Sequence, residues 1–224
     1  METMSENFGR TRGDVGSFPH DATAKQALET YLDALPDDPQ IVLPPLAGNG
    51  LDFSGADLSG LDLLGAYLDE AILDDVKLRD ANLGGASLVG ARMRGADLSG
   101  ASLRKAQGRA SDAQKALLAD ADLRSCEFED ADLQNSDLRR AKLGNAWLAG
   151  ADLRGADLQA CAFGGPTTST ALCEVRMAGS RLARATGHVR GPVDVGATSP
   201  HLLDGDDLQR WFADHGAPEV EVHN

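Results

Sequence analysis

The side chains able to do chemistry in this sequence stand in no catalytic arrangement. Five histidines (His20, His188, His201, His215 and His223) lie in the two ends of the 224-residue chain, without the close spacing of a ligand set, so no metal site is expected. Cys126, Cys161 and Cys173 are odd in number and unclustered, which fits a reduced cytoplasmic protein better than a disulfide-stapled secreted one. There is no Gly-Lys pair for a phosphate loop, no G-x-S-x-G, no H-E-x-x-H and no C-x-x-C. Acids are plentiful, 35 against 21 bases for a net charge of -14. Many of the aspartates recur at one outward position of a regular pattern, and paired carboxylate catalysis needs a pocket as well as two acids. Neither an enzyme nor a cofactor is expected.

The elements that carry these side chains are written in the composition. Ala (34), Leu (31), Asp (26) and Gly (25) fill 116 of the 224 positions, and aromatics are only 4%. Such bias in a chain that is 42% hydrophobic points to a repeat. No 18-residue apolar run occurs, and the first 25 residues lack the apolar core of a signal peptide, so neither a membrane span nor secretion is expected. From Phe53 to Phe163 every fifth residue is Leu, Phe or Met at 21 of 23 positions, Gly108 and Ala113 being the failures. Two residues earlier 16 of 23 are Ala, with Ser111, Cys126, Ser136 and Cys161 among the small replacements. Small-polar-Leu is the alternation of a short strand. Five is odd, so a straight strand would turn the next Leu outward; the chain must bend after each Leu, and Ser-Gly, Gly-Gly and Arg-Gly supply the bend. An α-helix fails, because a five-residue step advances about 140° past a full turn. A solenoid of short strands and turns remains, with Leu and Ala stacked from coil to coil and Cys126 and Cys161 as small core fillers.

The runs ADLSG, ANLGG, ASLVG, ADLRS, ADLQN, AKLGN and ADLRG resemble the A(D/N)LXX signature of the pentapeptide-repeat family. The resemblance implies an all-β solenoid, a right-handed quadrilateral β-helix with four pentads per coil. At about 4.8 Å per strand, residues 51–163 would make about 5.6 coils and a stalk roughly 27 Å long. Residues 164–187 resemble a degenerate last coil, with Leu172, Met177 and Leu182 five apart but shifted by one.

Residues 104–119 interrupt the clock. Ser111 with Gln114 three later reads as a capping box, and Ala113, Ala116 and Leu117 follow at helical spacing. A helical excursion from the wall is expected; the alternative is a continued coil, since the phase is kept. Arg104, Lys105, Arg109 and Lys115 make the excursion basic. Both solenoid ends need covers. Residues 1–20 read as a disordered tail and 21–50 as an N-terminal cap. There Asp21 caps a helix with an Ala24, Ala27, Leu28, Tyr31, Leu32 and Leu35 stripe, stopped by Pro36. Residues 188–224 read as a small α/β element: a strand, a helix carrying Leu208, Trp211, Phe212 and His215 on one side, and a last strand. Leu208, Trp211 and Phe212 are candidate contacts for capping or for a homodimer.

For function, Asp69, Glu70, Asp74, Asp75 and Asp80 form a candidate acidic face for a partner, the bland alternative being a solvated surface. The repeat region nets only -6, where B-DNA of the same length carries roughly 16 phosphate charges. Direct nucleic-acid binding is therefore not expected, nor is membrane binding. A non-enzymatic protein-binding role is expected. The family resemblance implies a narrower alternative, a DNA mimic that binds DNA gyrase or topoisomerase IV and protects it from inhibitors.

Overall fold

In the computed structural model, which describes residues 8–35 and 44–223, each pentad is three extended residues and a two-residue turn. The turn closes with the N–H of the next small residue donating to the Leu carbonyl, as Ala66 does to Leu63 at 3.0 Å. The second turn residue takes a left-handed φ, +71° at Gly60 and +58° at Glu70. That is the requirement of a type II turn and the reason Gly, Asn and Asp recur there. The outward Asp before each Leu has a structural duty that its polarity alone does not reveal. Its carboxylate accepts the N–H two residues on, as Asp52 does from Ser54 (2.8 Å) and Asp137 from Arg139 (3.1 Å). Asn82 does the same for Gly84.

Residues 20 apart pair in parallel, so four pentads close one coil and the solenoid has four faces. The outward residues stack into ladders. The first face carries Ala47, Tyr67, Ser87, Gln107, Glu127 and Trp147; the second Asp52, Ile72, Arg92, Asp112, Asp132 and Asp152. The third carries Asp57, Lys77, Asp97, Leu117, Asp137 and Asp157; the fourth Asp62, Asn82, Ser102, Asp122, Lys142 and Ala162. Inside, the Leu columns and the Ala corners are buried from Leu46 to Leu182.

Three sequence expectations are corrected. Residues 104–119 are wall, not helix: Gln107, Asp112 and Leu117 pair with Ser87, Arg92 and Asp97 above and with Glu127, Asp132 and Asp137 below. The helical spacing of Ala113, Ala116 and Leu117 yields because the N–H groups of Gln107, Gly108, Asp112, Ala113, Leu117 and Leu118 donate to carbonyls of neighbouring coils, while Ala116 N–H closes its own turn on Ala113. Gly108 breaks the Leu column because Phe128, stacked one coil later, fills the space; a Cβ on Gly108 would lie 2.5 Å from that ring. Second, residues 8–20 of the supposed disordered tail are ordered, while residues 1–7 and Pro36 lie outside the described residues. Gly9 pairs with Leu61 and Ser17 with Asp57, completing the third and fourth faces where the first coil has no predecessor. Third, the shift in the last coil is a four-residue insertion after Phe163: Trp147 pairs with Ala171 and Asp152 with Arg176, 24 residues apart, and the ladders then continue.

Both ends are closed. Helix α1 (Ala22–Ala34), whose first turn is capped by Asp21 accepting from Ala24 N–H, buries Ala24, Leu28 and Leu32 over the first coil. The Tyr31 hydroxyl, its pKa raised to about 12 by burial, donates to the Asp62 carbonyl. At the other end β1 (Thr170–Ala171), β3 (Thr186–Arg190) and β6 (Glu219–His223) form a parallel sheet, and β2 (Val175–Arg176), β4 (Val193–Asp194) and β5 (Leu202–Leu203) a mixed one in which β5 runs antiparallel to β4. Helix α2 (Gly205–Asp214) lays Leu208 and Phe212 over the core, with Phe212 edge-on to Phe163 at 6.2 Å between ring centres. No helix among the described residues is long and apolar enough to cross a membrane.

Candidate functional site

The five acids singled out by sequence do not share a face. Asp69 and Glu70 turn the corner between the first and second faces, Asp74 and Asp75 the next corner, and Asp80 the one after, so they ring a single coil. Several are engaged. Asp69 accepts from the Ser87 hydroxyl at 2.5 Å and from Val89 N–H at 3.0 Å; Asp74 pairs with Arg92. The four bases are equally dispersed: Arg104 and Lys105, Arg109, and Lys115 occupy three successive corners. The structure brings acid and base together instead of segregating them. Asp74, Asp75, Arg94 and Lys115 line one shallow hollow; Asp80, Asp120, Asp122, Arg104 and Arg124 line another of about 620 Å³ on the fourth face.

Ion pairs lace three of the faces. Arg94 bridges to Asp112, and Arg154 and Arg176 both reach Asp152 on the second face. On the third, Lys77 pairs with Asp57, Arg79 with Asp97, and Arg139 with Asp137. On the fourth, Arg10 reaches Asp62 and Arg124 binds Asp122. The carboxyls of Asp57, Asp97, Asp122, Asp137 and Asp152 are held below their ordinary range. At Asp137 the Arg139 hydrogen bond is the main cause; at Asp97 and Asp152 burial pushes upward but is outweighed by hydrogen bonds from Ser99 with Arg79 and from Arg154.

The first face differs. Among the described residues no ion pair crosses it. Tyr67 is 50% and Trp147 52% exposed, and they are the only aromatics of the repeats in an outward position. They stand four coils apart, about 19 Å at 4.8 Å per coil, with Ser87, Gln107 and Glu127 between them. Along the neighbouring corner run Glu70, Glu129, Asp130 and Glu174, none in an ion pair among the described residues, with Arg109 the one base beside them. Sequence reasoning missed this face, although a signal existed: Tyr67 and Trp147 are separated by a multiple of 20.

Other residues find structural places. Leu208 and Phe212 are fully buried inside the chain as cap contacts, and Trp211 is partly exposed beside His215, their rings 4.4 Å apart. His215 itself is exposed, so it does not join the buried side of α2. Cys126 and Cys161 are core fillers whose thiol pKa values burial pushes far up; Cys173 is exposed.

No curated protein matches this chain. Among solved structures it is similar to HetL, a pentapeptide repeat protein involved in heterocyst differentiation regulation in the cyanobacterium Nostoc sp. strain PCC 7120. There the identity is 27%, over 68% of this chain and 88% of that one, with a TM-score of 0.43. A pentapeptide repeat protein from the Arabidopsis thaliana thylakoid lumen is 31% identical over 50% of this chain and 68% of its own, TM-score 0.33. Trypsin-treated QnrB1, a plasmid-mediated fluoroquinolone resistance protein, is 14% identical over 80% and 91%, TM-score 0.45. These scores are low, and the assignment rests on the repeats themselves. The family model for pentapeptide repeats matches in eight copies over residues 49–85, 77–107, 109–140 and 136–165, just over half of the sequence, and by this match the chain belongs to the pentapeptide-repeat family.

Proposed function

We propose that this protein is a non-enzymatic binding protein that holds another protein on its first face, between Tyr67 and Trp147. The observation that carries the reading is the contrast between faces. Where Asp and Arg are engaged with each other they are poorly available to a partner. The first face instead presents two half-exposed aromatic anchors, polar residues between them and an uncompensated acidic edge. Interfaces concentrate binding energy in Trp, Tyr and Arg side chains that become desolvated, and charge at the rim steers a complementary partner. The partner expected is therefore a protein with a basic rim and apolar recesses about 19 Å apart.

The narrower reading, a DNA mimic acting on gyrase or topoisomerase IV, draws support from the acidic edge alone. Over 19 Å a duplex carries about 11 phosphates at one per 1.7 Å, whereas between the two aromatics this edge offers Glu70, Glu129 and Asp130, with Glu127 on the face beside them. With Leu208 and Phe212 buried in the cap, end-to-end pairing through α2 is not part of the proposal.

The test is affinity capture from native cytosol with the wild-type chain, the Tyr67→Ala/Trp147→Ala double variant and the third-face variant Lys77→Ala. Purified gyrase and topoisomerase IV are assayed in parallel for supercoiling and decatenation. A partner retained by wild type and Lys77→Ala and lost from the double variant supports the first face. Equal capture by all three would refute it, and salt-sensitive inhibition of gyrase that ignores Tyr67 and Trp147 would favour the mimic.

A further inference from the structure

On the outer side of the β1–β3–β6 sheet, one side chain of β3 meets two from β6, more than thirty residues later. β3 and β6 run parallel, with His188 opposite Glu221 and Arg190 opposite His223. Val189 and Val220 are buried, so the alternation of each strand puts His188, Glu221 and His223 together on the outward side. His188 Nδ1 lies 2.5 Å from His223 Nε2 and 3.5 Å from a Glu221 carboxylate oxygen. The ligand atoms all fall within 4.8 Å of one another. Two imidazole nitrogens that close cannot both offer bare lone pairs to each other; either one neutral ring donates its N–H to the other, or a metal ion takes both lone pairs.

We propose that His188, Glu221 and His223 bind one divalent transition-metal ion of the zinc type, clipping β6 to β3 and fastening the C-terminal cap. Two imidazoles and one carboxylate are the donor set that such borderline ions take, with water completing the tetrahedron, whereas calcium and magnesium select all-oxygen sites. The geometry needs only a small adjustment. Two nitrogens each about 2.05 Å from a tetrahedral zinc stand about 3.3 Å apart, so the 2.5 Å pair must open by under an ångström. His223 closes the last strand and can supply that by side-chain rotation. The His188 side chain, 13% exposed, holds the site to the sheet, and Glu221, 66% exposed, closes it from the solvent side. Arg190 is exposed opposite His223 and adds a like charge, which Glu221 offsets. The proposal is independent of the first face.

The test uses the untagged full-length chain, titrated with zinc against a chromophoric chelator and by calorimetry, with cobalt as a spectroscopic substitute. One ion per chain is expected, with a raised melting temperature and the intense visible bands of four-coordinate cobalt. His188→Ala, His223→Ala and Glu221→Gln should each weaken binding by at least about tenfold. His215→Ala and His201→Ala should leave it unchanged. Should His188→Ala misfold, His223→Ala at the strand end and the exposed Glu221→Gln carry the comparison. Absence of stoichiometric binding at submillimolar zinc would overturn the site and leave a proton-shared histidine pair. So would binding that survives both His223→Ala and Glu221→Gln.

Discussion

At the scale of single residues, this chain shows how a degenerate position is made good by its neighbour one coil away. Gly108 stands where the repeat wants Leu, and the Phe128 ring occupies the space. Gly108→Leu alone should destabilise the protein by roughly 1–3 kcal/mol through overpacking, and Phe128→Leu alone by a similar amount through the void it leaves. The double variant Gly108→Leu/Phe128→Leu restores an ordinary column and should come within about 1 kcal/mol of wild type, a coupling that denaturant titration of all four proteins would resolve. Additive losses would mean that the two residues do not share the space. A second residue-scale case concerns Ser111, Ser136 and Ser180, which stand in the Ala position with hydroxyls that are buried and without a partner. A buried unsatisfied hydroxyl costs about 1–3 kcal/mol, so Ser136→Ala should raise stability by about 1 kcal/mol. A drop in melting temperature would show that the hydroxyl is bonded after all. Both cases were half legible in the sequence. The clock marked Gly108 and the serines as departures, but only the 20-residue coil shows which residue stands above or below each of them.

At the scale of elements, the turn and its outward Asp are one unit, and their titration should set the acid limit of the fold. Asp137 accepts from Arg139 through both backbone and guanidinium, and its carboxyl is held below the ordinary range. A depressed carboxyl contributes stability that is complete above the unfolded value of about 3.9 and is lost as pH falls through the folded one. Melting temperature should therefore be nearly flat from about pH 7 to 5 and fall below about pH 4. Asp137→Asn separates charge from turn geometry, because Asn82 already makes the same turn bond without a charge. Its deficit against wild type should be present at neutral pH and vanish at low pH; a deficit independent of pH would place the effect in the turn and not in the ion pair. The elements also mark where sequence reasoning held and where it failed. Helix α1 with its Asp21 cap, helix α2 and the last strand 219–223 were legible because caps and hydrophobic spacing are local properties, whereas the single strand expected before α2 is three, β3, β4 and β5, divided between two sheets. Residues 104–119 misled because Ala-Gln-Lys-Ala-Leu is locally a helix former, while the coils above and below supply hydrogen bonds that no local pattern displays. Residues 8–20 misled for a related reason: their order comes from pairing with Asp57 and Leu61, not from their own composition. The meeting of His188, Glu221 and His223 needed the β3–β6 register, which sets His188 opposite Glu221 and brings it to His223, 35 residues on.

At the scale of the whole molecule, the four-sided coil makes every pentad nearly equivalent to the core but not to a partner. Nearly all pentads present a large apolar and a small residue inward, so removing a whole number of them should leave a column that still stacks. Their outward residues, however, keep to one face only if the chain changes by a multiple of 20. Tyr67 and Trp147 share the first face because four full coils separate them. Deleting residues 101–120, one coil, joins Gly100 to Ala121 and keeps both aromatics on one side, their separation falling to about 14 Å at 4.8 Å per coil. Deleting residues 106–120 instead removes three pentads and carries Trp147 onto an adjacent face. Both shortened chains should unfold cooperatively, as expected of a solenoid whose stability is a sum over neighbouring coils, and circular dichroism with thermal melting would establish that first. The binding readout then separates them. In the 20-residue deletion both anchors still face one surface, though about 5 Å nearer than the recesses they fill in the intact chain, so binding should be weaker than wild type and replacing Trp147 should weaken it further. In the 15-residue deletion the two anchors no longer address one surface, and replacing Trp147 should change nothing. Equal sensitivity to Trp147 in two folded deletions would mean that the partner does not read the first face as a unit.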